Sequence, residues 1–75
     1  MTITFQGKYV TTMVTLPNQQ LLQECKEAIE IHKNNLFYYK HSNHLHFNPV
    51  YFCKSDNDAH FLTDICLKLL DKQTP

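Results

Sequence analysis

Leu36–Cys53, LFYYKHSNHLHFNPVYFC, is the stretch whose reading decides the fold. It carries six of the nine aromatic residues, three of the five histidines and one of the three cysteines. Ser42-Asn43 is the turn within it. A two-residue loop at 42–43 and a four-residue loop at 41–44 give one register: Tyr38 opposite Phe47, Lys40 opposite Leu45, Tyr39 opposite His46, and His41 opposite His44. Cross-strand partners share a face. One face is then Leu36, Tyr38, Leu45 and Phe47, which suits a core. The other is Phe37, Tyr39, His41, His44 and His46. Proline has no N–H to give a ladder, so Asn48-Pro49 marks a bulge, an edge or a second turn. A bent strand is preferred, because proline suits the third turn position only with a cis bond. A tight turn sends Val50 and Phe52 to the core and puts Tyr51 and Cys53 on the histidine face; one bent strand can keep the same parity, so Asn48-Pro49 decides whether Tyr51 and Cys53 join that face.

Before this stretch, Ile3 and Phe5 alternate with Thr2 and Thr4 as a short first strand. Gln6-Gly7 can turn it back, since glycine tolerates a positive φ. Tyr9–Leu16 is a clearer strand, rich in β-branched residues. Val10, Val14 and Leu16 point one way, and Tyr9, Thr11, Met13 and Thr15 the other. A two-residue loop sets Ile3 opposite Val10. Pro17-Asn18 opens a helix with Asn18 as N-cap. Leu21, Leu22, Cys25, Ala28, Ile29 and His32 form its apolar stripe. Asn34-Asn35 ends it, with one asparagine expected in the left-handed region.

After the stretch, Ser55 caps a second helix with Asp58 three residues on, a capping box built with a shorter acid. Ala59, Leu62, Ile65, Cys66, Leu69 and Leu70 form its stripe. The chain therefore reads as one α+β domain, residues 1–75, in the order ββαββα. The expected architecture is a two-layer sandwich: an antiparallel sheet of about four strands with two helices on one face. It divides into two strand–strand–helix units with no residue pattern repeating between them. Val50–Ala59, an aromatic strand feeding a helix, resembles the ferredoxin-like arrangement in architecture alone, and that likeness carries no function.

Composition narrows the function classes. Seven lysines balance seven acids and arginine is absent. Such a chain lacks the electrostatic footprint of a nucleic-acid or anionic-membrane binder. It also lacks the planar fork that grips phosphate or guanine at two points. Three cysteines without a Cys-x-x-Cys pair make a poor disulfide framework and a poor zinc finger. Reduced, partly buried thiols in a cytoplasmic protein are the better reading. The N-terminus lacks a secretory pattern, and no apolar run approaches a membrane span. Small neutral chains are common among phage and mobile-element proteins, though no motif here carries that origin.

Three constellations remain. His41, His44 and Cys53 are candidate ligands for a zinc-type ion, because imidazole and thiolate are its usual donors. Their spacing matches no recognised finger, and surface histidines are the plainer reading. Phe37, Tyr39 and Tyr51 could stack single-stranded bases, but zero net charge and the element order oppose that. Cys53 near His44 could pair as nucleophile and base, yet nothing supplies an orienting group, an oxyanion hole or a cleft. No enzyme and no cofactor are expected. The expected function is protein binding through the open face, as a homodimer or as an inhibitor or accessory protein covering a larger target. Phe37, Tyr39 and Tyr51 are its anchors, and His41, His44 and His46 line the same face.

Overall fold

The computed structural model describes residues 1–38 and 48–73. The elements run β1 (Thr2–Gln6), β2 (Thr11–Thr15), α1 (Gln19–Ile31), a short 3-10 turn (Lys33–Asn35), β3 (Leu36–Tyr38), β4 (Val50–Cys53) and α2 (Asp56–Lys72). The ββαββα order and the two-layer α+β architecture follow the sequence reading.

Local chemistry accounts for both helices. Asn18 Oδ1 accepts the Leu21 N–H at 2.8 Å, which satisfies a donor at the start of α1. Ser55 Oγ accepts the Asp58 N–H at 3.1 Å and donates to Asp58 Oδ2 at 2.8 Å. The capping box therefore forms as the sequence suggests. Leu21, Leu22, Cys25 and Ile29 of α1 and Ala59, Leu62 and Cys66 of α2 are buried at helical spacing. His32 at the end of α1 meets Phe61 edge-on, with ring centroids 5.2 Å apart. Farther back on α1, Cys25 hydrogen-bonds Cys66, farther forward on α2. The two helices therefore run antiparallel.

The exit from α1 differs from expectation. No described residue has a positive φ, so neither Asn34 nor Asn35 adopts the left-handed conformation. The chain tightens into the 3-10 turn instead, and Asn35 Nδ2 donates to Asp58 Oδ1 at 2.7 Å. That bond ties the exit of α1 to the start of α2.

The sheet order is β2-β1-β4-β3. β1 pairs antiparallel with β2 and β3 antiparallel with β4, but the central pair, β1 and β4, is parallel. The sheet is thus mixed rather than antiparallel throughout. The central strands are the first of one hairpin and the second of the other, so the two ββα units are not copies of each other. The first turn is longer than expected. Gln6 pairs with Thr11, and Ile3 lies opposite Val14 rather than Val10. The loop Gly7–Val10 is closed by a 2.7 Å bond from Gly7 N–H to the Val10 carbonyl.

Asn48-Pro49 guides the chain alongside β1. Asn48 Oδ1 accepts from the Thr2 N–H and the Thr2 hydroxyl, both at 3.0 Å. The Pro49 carbonyl accepts the Thr4 N–H at 3.0 Å. Val50 then pairs with Thr4, Tyr51 with Phe5 and Phe52 with Gln6. Because Phe5 faces the core, Tyr51 does too. Its ring stacks on Phe5 at 5.8 Å between centroids, and it is 1% exposed. Cys53 is buried as well, whereas Val50 and Phe52 turn to the other face and are half-buried. The expected sides of all four residues are therefore reversed. The expectation carried alternation through Phe47 and across the proline; the actual side is set by pairing with β1.

Both helices cover the face carrying Ile3, Phe5, Val14, Leu36 and Tyr51, and these residues form one core with the helix stripes. No helix among the described residues is long and apolar enough to cross a membrane.

Candidate interaction surface

The face opposite the helices is built by alternation. β1 contributes Thr2, Thr4 and Gln6; β2 contributes Thr11, Met13 and Thr15; β4 contributes Val50 and Phe52; β3 contributes Phe37. Phe37 keeps 68% of its surface exposed and Met13 63%. Beside Phe37 and Phe52 runs a groove of about 410 Å³, lined also by Gln6, Gly7, Lys8, Cys53 and Lys54. Lys8 and Lys54 give the groove a cationic rim, with the Lys8 ammonium 5.4 Å from the centroid of the Tyr9 ring.

Of the residues assigned to this face from sequence, Phe37 is on it. Tyr51 is a correction: it is a core residue and cannot anchor a partner while the chain is folded. Tyr39, His41, His44 and His46 lie outside the described residues, as do the Ser42-Asn43 turn, Lys40, Leu45, Phe47 and the side chain of Tyr38. Sequence reasoning missed Phe52, which it had sent to the core. It placed Met13 on the outward side of β2 but assigned it no role in binding. The alternation that marked Met13 was available, while the side of Phe52 depended on its partner strand.

Cys53 does not join a histidine face. Its thiol points to the core, where Sγ donates to the Tyr51 carbonyl at 3.9 Å. Burial, with a smaller push from Asp58, raises its pKa to about 11. A metal ligand must be thiolate, so this sulfur is a poor donor at neutral pH. Among the described residues no group of three or more His, Cys, Asp and Glu side chains is placed to hold a metal ion. Cys25 and Cys66 are both 0% exposed and lie in the seam between the helices. Their shared hydrogen bond lowers the Cys25 pKa and raises that of Cys66. All three thiols are free and buried, so none is presented to a substrate.

One polar device positions the groove. Asp56, the first residue of α2, reaches back to the Gly7–Val10 loop. Its Oδ1 accepts the Tyr9 N–H at 2.8 Å and the Val10 N–H at 3.2 Å. The Tyr9 bond is the main reason its carboxyl titrates below the usual range. The Asp58 carboxyl is lowered chiefly by the Asn35 amide and then by the Ser55 hydroxyl. Both groups are depressed in the folded state. Their contribution is therefore present above the ordinary carboxylate pKa of about 4 and is lost as pH falls through the folded values. The urea midpoint should drop between pH 6 and pH 3. The double substitution Asp56→Asn, Asp58→Asn should flatten that profile, and an unchanged slope would refute the assignment.

Compared with known proteins, the chain matches no family model, no curated protein and no solved structure.

Proposed function

We propose that this protein is a non-enzymatic protein-binding module whose open sheet face docks against a protein surface, in self-association or over a larger target. The observation that carries the reading is the pairing of a strongly exposed Phe37 with the Phe52 groove, on the sheet face that the helices leave uncovered. A large ring beside a recess is the usual form of an interface anchor. The lysines at the rim favour a partner segment that joins an apolar side chain to a carboxylate. Tyr39, His41, His44 and His46 extend the same proposal along the chain. Three unpaired thiols support a reducing, cytoplasmic setting. Neutral charge without arginine weighs against nucleic acid, and the buried Cys53 weighs against the His41/His44/Cys53 metal site.

Affinity capture from the native host, run beside sedimentation velocity of the purified chain, tests this. Phe37→Ala should weaken capture of the partner, or any self-association made through the Phe37 face, by roughly 2 kcal/mol, about thirtyfold. Its far-UV circular dichroism should match the wild type. Equal capture of the partner by the variant would refute Phe37 as an anchor.

A further inference from the structure

The two edges of the sheet are built differently. Among the described residues, β3 pairs with β4 through a register shift. Irregular pairing of that kind is one way proteins blunt an edge. β2 forms the other edge with five residues in unbroken register against β1. From Val10 to Leu16 the sequence VTTMVTL contains no charge, no proline and no glycine. Among the described residues, none of the devices that deter pairing is present there.

The direction of its unused backbone groups follows from the ladder. The Gly7 N–H bonds the Val10 carbonyl at 2.7 Å, and the Leu16 N–H bonds the Met1 carbonyl at 2.8 Å. In an antiparallel pair, bonded positions alternate. Val10, Thr12, Val14 and Leu16 therefore face β1, while Thr11, Met13 and Thr15 aim their N–H and C=O groups outward. On β1, Thr4 lies opposite Met13 and turns away from it to bond Pro49, as this alternation requires.

We propose that β2 is a homodimer edge: a second copy pairs with it antiparallel, with Met13 opposite Met13 of the second copy and Thr11 opposite Thr15. This register puts outward groups against outward groups and supplies on the order of six backbone hydrogen bonds. An isologous contact sets the residue on the axis against itself and its neighbours against one another, so an uncharged edge is what self-pairing needs. The helix layer agrees. Thr63 of α2 bonds Thr12 on the helix-facing side of β2, and its hydroxyl also donates to the Ala59 carbonyl at 2.7 Å. Leu67, one turn on from Thr63, is 47% exposed. With about 3.3 Å per strand residue and 1.5 Å per helix residue, Thr63 and Leu67 straddle the level of Met13. Asp64 and Lys68 flank Leu67 and carry opposite charges, 3.1 Å apart. A two-fold axis at Met13 brings the carboxylate of one copy towards the ammonium of the other. The product is a continuous sheet of two four-stranded halves, with the Phe37 face open in both copies. This goes beyond the face-docking reading, because it uses a different surface.

Sedimentation equilibrium of the full chain tests it. The wild type should be a dimer, and Met13→Lys and Met13→Glu should each weaken it at least tenfold while far-UV circular dichroism is unchanged. An equimolar mixture of the two variants should regain association, because opposite charges then meet across the axis. Phe37→Ala should leave this dimer intact whatever it does to a captured partner. A monomeric wild type would overturn the proposal. So would a dimer indifferent to both Met13 variants, or one lost in both and not regained in the mixture.

Discussion

Tyr51→Ala should destabilise the domain by about 3–5 kcal/mol, the range for truncating a buried aromatic ring. Tyr51 is among the largest fully buried side chains and stacks on Phe5 at the centre of the sheet. Truncation removes the ring from the β1–β4 seam, where the parallel pairing offers no local turn to hold the strands together. A domain of this length has roughly 4–11 kcal/mol of stability in total, so the variant should be largely unfolded at modest urea or a little above room temperature. Near-UV circular dichroism and the urea midpoint measure this. Phe37→Ala is the control, since an exposed side chain typically changes stability by no more than about 0.5 kcal/mol. A Tyr51→Ala variant that melts like the wild type would return Tyr51 to the surface and overturn the register of β4.

Gly7→Ala should cost about 1–3 kcal/mol, the range for forcing an extra methyl into filled space. Glycine is not required there for its φ, which is not positive. It is required because α2 begins against it. A Cβ on Gly7 would sit 2.5 Å from Asp56 Oδ1 and 2.9 Å from the Asp56 Cα. The carboxylate can rotate aside only by giving up its bonds to the Tyr9 and Val10 N–H groups. The backbone at Asp56 can yield only by moving the helix. At about 4–8 °C per kcal/mol for a domain of this size, the melting temperature should fall visibly. Asp56→Ala removes the carboxylate but leaves the helix backbone against the added methyl. In that background Gly7→Ala should therefore still destabilise, though by less. Full additivity of the two substitutions would mean that the loop and the helix start do not touch.

How far the sequence could be read depended on how local each decision is. Both helices were legible because a cap and a stripe lie within a few turns. Ser55 with Asp58, and Leu62 with Cys66, involve only near neighbours along the chain. The alternation of Ile3 and Phe5, and of Val14 and Leu16, likewise survived into the structure. On the open sheet face, Phe37 was placed correctly because it directly follows Leu36, whose burial fixes the side of each neighbour. Tyr51 and Phe52 were misplaced because parity was counted across Asn48-Pro49, which lie outside β4.

By itself the sequence determined the order ββαββα, the two helix stripes, the caps at Asn18 and Ser55, and the outward direction of Phe37 and Met13. The tertiary structure decided that β1 and β4 lie side by side and parallel, with partners 46 residues apart such as Thr4 and Val50. From that one pairing follow the burial of Tyr51 and Cys53, the outward turn of Phe52, and β2 as an edge of the described sheet. The close approach of Asp56 that makes Gly7 necessary likewise joins distant parts of the chain. The physical reason is common to all of these. A strand's alternation says which residues share a side, and only the strand it pairs with says which side is inside.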